Sequence, residues 1–147
     1  MFNNNSKAAE SNGQIKDFLA ATEKVTGGER ELSFIDLQLP EMARFLPNIS
    51  IVRPVEDEHM YKYLFWGGNL TAEYGKELTG KKMSEGGFDY AEKELIKLTD
   101  LIVKTKEIVF TSGTLDWQNK GHREWHMVSL PLSHNNHENE AMSFVVL

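Results

Sequence analysis

The stretch FDYAEKELIKLTDLIVKTKEIVFT, residues 88–111, carries the transition that sets the fold class. Phe88, Ala91, Leu95, Leu98 and Ile102 recur at spacings of three and four, which predicts a long helix from about Phe88 to Lys106. Glu92, Lys93, Lys97 and Lys104 sit away from that stripe, so one face of the helix covers something apolar. The pattern then changes. Ile108-Val109-Phe110-Thr111 is rich in β-branched and aromatic residues and reads as a strand.

Two more strands are read beyond it, Arg123 to Leu130 and Met142 to Leu147, joined by loops over 112–121 and 133–141. Before the helix, Ile49 to Arg53 and Met60 to Trp66 read as a hairpin around the acidic turn Glu56-Asp57-Glu58. Gly67-Gly68 ends the second strand, a short helix covers Leu70 to Tyr74, and the glycines at 75, 80, 86 and 87 mark a connector. Further upstream, Ser33-Phe34-Ile35-Asp36 has capping-box spacing, and Pro40 to Leu46 reads as a short helix. Residues 1–13 read as a flexible lead-in. Residues 14–30 hold an amphipathic helix with Ile15, Phe18, Leu19 and Val25 on one stripe, stopped by Gly27-Gly28. Consecutive strands with short links imply antiparallel pairing, so the expected fold is α+β with five strands and the helices grouped between strands two and three.

The 147 residues suit one domain. A net charge of -6 argues against a phosphate-binding surface, and no nucleic-acid partner is expected. The chain has no Cys, which excludes disulfides, thiolate metal sites, a Cys nucleophile, c-type haem attachment and a cysteinyl-flavin adduct. No apolar run reaches the roughly 20 residues that span a bilayer, and the start lacks the basic and apolar segments of a secretory signal. The expectation is a cytoplasmic protein without a membrane partner.

The chemical motifs are weak. Gly75 to Lys82 reads G-x4-G-K-K, but Lys82 stands where a phosphate loop needs a hydroxyl, and the preceding residues look helical rather than strand-like. His122 and His126 are four apart, yet on a strand that separates them by about 13 Å, too far to share one metal. His134 and His137 read as solvated loop histidines. Glu124 is the best carboxylate for general-base work, against the plainer reading of a surface group. No G-x-S-x-G elbow is present. No metal site and no catalytic group is expected.

The aromatic residues are more informative. Tyr61, Tyr63 and Phe65 alternate along one strand and so share a face. Phe110, Trp125, Met127 and Phe144 can join that inner face, with Tyr74, Met83 and Phe88 on the helical cover. These ten residues form either a packed core or the wall of a small-molecule pocket.

The stretch Tyr61-Lys62-Tyr63-Leu64-Phe65-Trp66-Gly67 followed by Tyr74-Gly75 and Glu77-Leu78-Thr79-Gly80 resembles the PAS superfamily, in particular small bacterial PAS-like domains. Ile35-Asp36, Leu39-Pro40, Phe45-Leu46-Pro47 and Leu130-Pro131-Leu132 add to the resemblance, which covers residues 31–147. Leu64 and Gly68 stand where members of that group often carry Arg and Thr. The resemblance implies a five-stranded antiparallel sheet flanked by helices, a sensory or signalling role, a possible protein partner, and no catalysis. It also makes the 14–30 helix resemble the extension through which many PAS domains form homodimers, with Ile15, Phe18, Leu19 and Val25 as the contact. The alternative is that this helix docks on its own sheet. A PAS haem hangs from a His on the long helix, and residues 88–106 contain none. The cofactor, if one exists, is left unknown. Two other classes stay open: a small cone-shaped α+β enzyme or hydrophobic-ligand carrier, and a dimerisation module with a filled core.

Overall fold

A computed structural model describes residues 2–88, 91–115, 120–135 and 137–147, with the side chains of residues 2, 115, 120–122, 137 and 138 left aside. Among the described residues, six strands form one sheet in the order β1-β4-β5-β6-β2-β3. They are β1 (Phe2–Asn4), β2 (Ile49–Pro54), β3 (Tyr61–Trp66), β4 (Val109–Leu115), β5 (Lys120–His134) and β6 (His137–Val146). All five pairings are antiparallel. The α+β class is as expected, but the sheet has six strands and not five. The extra strand comes from the residues read as a flexible lead-in. Phe2–Asn4 pairs with β4, and α1 (Lys7–Ser11) follows, capped by the Ser6 hydroxyl accepting from the Ala9 N–H.

The sheet is covered on both sides. Cross-strand pairing places Phe110, Val128, Phe144 and Ile49 in one row across four strands. That row faces α2 (Gly13–Thr26). The α2 helix starts where the Asn12 side chain accepts from the N–H groups of Gln14 and Ile15, and it stops at Gly27, whose φ of 69° suits a residue without Cβ. Phe18 stacks on Phe144 at 4.7 Å, and Phe45 meets both rings edge-on at 5.4 Å. Ile15 and Phe18 are fully buried, and Leu19 and Val25 pack partly against the same cluster. The stripe expected to form a dimer contact therefore docks on its own sheet, because the row around Phe144 offers an apolar face within the same chain.

The next row on the sheet, one residue along each strand, faces the other way, toward α4 (Gly68–Tyr74) and α5 (Ala91–Thr105). Ala91, Leu98 and Ile102 of the expected α5 stripe are buried there, and Leu95 is half-buried. The expected helix start at Phe88 falls ahead of α5, and Asp89 and Tyr90 lie outside the described residues, as do positions 116–119 of the expected 112–121 loop.

Strand β3 does not alternate as its sequence suggests. Ile51 pairs with Phe65 and Val52 with Tyr63, so Leu64 is one residue too many. This bulge keeps Tyr61 and Tyr63 on the α5 side and turns Phe65 to the α2 side. Trp66, expected away from Tyr63, instead meets that ring at 5.0 Å.

Shorter elements follow their local chemistry. Pro40 opens α3 (Pro40–Ala43), which ends earlier than the expected Leu46 because a 3₁₀ turn at Leu46–Asn48 takes over. Asp36 accepts from the Ser33 N–H and hydroxyl at 2.8 and 2.9 Å, as the capping-box spacing predicts. Arg30 adds a two-pronged ion pair to the same carboxylate, at 2.6 and 3.1 Å. Gly67, before α4, lies against the carbonyl oxygens of Leu46 and Pro47, where an added Cβ would collide with backbone. A Cβ at Gly68 meets nothing.

Two outcomes are expected. Gly67→Ala lowers unfolding stability by about 2–3 kcal/mol, since neither carbonyl can move aside, whereas Gly68→Ala leaves it unchanged or slightly higher. Paired urea midpoints check this, and equal losses would place the Pro47 carbonyl elsewhere. The hydrogen bond from Arg30, with those from Ser33, holds the Asp36 carboxyl down at about 2, against an ordinary 3.8. A depressed folded value adds stability above the unfolded value and loses it as pH falls. Asp36→Asn should cost about 1–2 kcal/mol at pH 7, with the gap to the parent closing between about pH 4 and 2. A pH-independent gap would remove the ion pair from the account.

Candidate functional site

A partly open cavity of about 70 Å³ lies on the α5 side of the sheet. Its floor is a row of side chains on the central strands. Ser50 on β2 pairs with Ser143 on β6, and Ser143 pairs with Ser129 on β5. All three line the cavity, and the Ser129 and Ser143 hydroxyl oxygens lie 2.7 Å apart. Met127 and Trp125, further along β5, extend this floor.

The wall is aromatic. Trp66 sits 5.2 Å from Tyr74, and Tyr74 sits 5.2 Å from Phe88, both edge-on. Tyr63 completes the group, 5.0 Å from Trp66 and 6.4 Å from Phe88. The Trp66 indole N–H donates to the Lys76 carbonyl at 3.0 Å, which fixes that ring. Phe88 occupies the space over Gly86, where any Cβ would enter its ring. Met83, Leu70 and the apolar face of α5 close the remaining sides.

Among the described residues no charged side chain lines this cavity. Tyr63 is 3% exposed, and its hydroxyl has no hydrogen-bond partner among the described residues. Burial pushes the Tyr63 hydroxyl well above its ordinary pKa. Tyr74 moves the same way, chiefly by burial. Both phenols therefore stay protonated and keep their donor hydrogens.

Of the ten aromatic and Met positions expected to line a pocket, six do so: Tyr63, Tyr74, Met83, Phe88, Trp125 and Met127. Phe65, Phe110 and Phe144 do not, because the β3 bulge and the cross-strand pairing opposite Val128 put them on the α2 side. Tyr61 is buried on the α5 side but acts as an anchor. Its hydroxyl donates to Asp100 on α5 at 2.6 Å, and His59 meets the other oxygen of Asp100 at 2.6 Å. The three serines were missed. They lie on three different strands, with Ser50 far from Ser129 and Ser143 in the sequence, and each alone looks like an ordinary small polar residue.

The other motifs resolve into structural parts. Gly75 and Gly80 both take left-handed conformations, at φ 77° and 83°, and Lys82 pairs with Glu58 at 2.9 Å. The G-x4-G-K-K run is thus a helix end and a turn. Glu124 is exposed and outside the cavity. His126 points to the α2 side with its Nδ1 buried and without a partner among the described residues, and the His122 side chain lies outside them. His134 is not a solvated loop residue. It stacks on Phe34 at 4.2 Å and meets the fully buried Glu140 at 3.1 Å, while Arg53 donates to the same carboxylate at 2.7 Å. That cluster neutralises a buried carboxylate at the β5–β6 turn. Among the described residues no group of three ligating side chains could hold a metal ion, and no helix is long and apolar enough to cross a membrane.

No family model, curated protein or solved structure matches this chain.

Trp125 is 6% exposed and its indole N–H donates to the Thr114 carbonyl at 3.3 Å. Trp125→Ala should lower stability by about 3–5 kcal/mol, measured by chemical denaturation. An unchanged midpoint would mean that the indole faces solvent.

Proposed function

We propose that this chain is a PAS-like sensory or signalling module that binds a small molecule between the sheet and α5, and that it is not an enzyme. The observation that carries the reading is the aromatic-walled cavity with serine hydroxyls on its floor and no charged side chain among its described lining residues. Strands β2 to β6, with α4 and α5 of one long crossover laid over one face, accord with the arrangement that the PAS resemblance implies. A general acid or base is not part of the proposal, since Glu124 and the His134–Glu140 cluster both lie away from the cavity. In such a module the ligand acts by preferring one packing of α5 against the sheet over another. The Asp100 contacts with Tyr61 and His59 tie that helix to the β2–β3 hairpin and offer a route by which the preference spreads.

Native mass spectrometry on freshly purified protein, set against its denatured mass, tests the reading. Extra mass that disappears on denaturation is the expected result. A bare mass that stays bare on exposure to small apolar compounds would favour the filled-core module instead.

A further inference from the structure

Resting on the reading of the cavity as a ligand site, we infer that its ligand is a compact, uncharged carbonyl compound whose oxygen is received by the serine floor and Tyr63. Unspent hydrogens define the chemistry that the cavity receives. When Ser129 and Ser143 share one bond at 2.7 Å, one hydroxyl donates and the other keeps its hydrogen. No other hydrogen bond of either side chain is present among the described residues, and the Ser50 and Tyr63 hydroxyls have none. Three donor hydrogens therefore face one small space, and none of them meets an acceptor among the described residues. A carbonyl oxygen is the complementary group, because it accepts two hydrogen bonds and donates none.

Charge narrows the class. A carboxylate would also accept these bonds, but among the described residues no Lys, Arg or His lines the cavity to offset its desolvation. Size narrows it further. At about 70 Å³ the cavity is near half of the ~150 Å³ that accommodates benzene, so a ligand of a few non-hydrogen atoms fits the floor as it stands. The aromatic wall then takes the alkyl part. Small ketones, aldehydes and amides meet all three conditions.

Acetone and acetate are matched probes, alike in shape and different in charge. Amide-resolved NMR of the full chain follows each titration, with xenon added separately as a probe that needs space but no polar partner. The expected result is saturable acetone shifts at Ser50, Tyr63, Ser129 and Ser143, with none from acetate over the same range. Ser143→Ala and Tyr63→Phe, which remove hydroxyls with little change in shape, should each weaken acetone by about five-fold. Acetate binding as well as acetone, or both variants binding acetone unchanged, would overturn the assignment. Xenon entry without acetone binding would sink the carbonyl ligand and leave the cavity reading standing. Entry of neither would sink both.

Discussion

The sheet's two apolar faces set the terms for everything else. Along β5 the buried side chains run Trp125, Met127, Val128, Leu130 and Leu132, so neighbouring positions on opposite faces are both withdrawn from water. A sheet of this kind cannot leave one side solvated, as many antiparallel sheets do. It needs two covers, and the chain supplies them from different places. Residues 7–26 cover one side, through α1 and α2. The crossover between β3 and β4 covers the other, through α4 and α5. The order of elements, the docking of the N-terminal helix and the location of the cavity all follow from that requirement.

The two covers are not equivalent. Against α2 the packing is filled by rings, with Phe18, Phe45 and Phe144 in mutual contact. Against α5 the sheet offers small side chains at its centre, Ser50, Ser129, Ser143 and Ala141, and the large rings stand at the edge. Small residues beneath a helix held off by large ones leave space between them. The same composition, distributed with the rings at the centre, would have closed it.

Much of this was legible in the residues themselves. The stripes of α2 and α5, the hairpin turn at Glu56–Glu58, the Asp36 cap and the stop at Gly75 are local, and local spacing or turn chemistry announces them. The strands were also legible, though β5 and β6 extend well past their expected ends because the β5–β6 pairing continues to His134 and His137. The assignment of side chains to faces was not legible. Alternation reveals a face only when one side is polar, and here both are apolar. Phe110 and Phe144 looked like partners of Trp125 for that reason. The serine floor was hidden for a different one: it exists only after three strands have been aligned. Strand β1 escaped notice because Phe2-Asn3-Asn4 is too short and too polar to stand out.

The bulge in β3 has a consequence for how this hairpin can vary in length. Leu64 is a surplus residue, with Phe65 and Tyr63 taking the two places opposite Ile51 and Val52. Remove it, and strict alternation from Tyr61 would still send Phe65 to one layer and Trp66 to the other. Remove Lys62 instead and Tyr63 changes sides; remove Tyr63 or Phe65 and a layer loses a ring. The strand thus has one position at which a single-residue deletion is absorbed without exchanging the two cores, and length differences among descendants of this sequence should collect there.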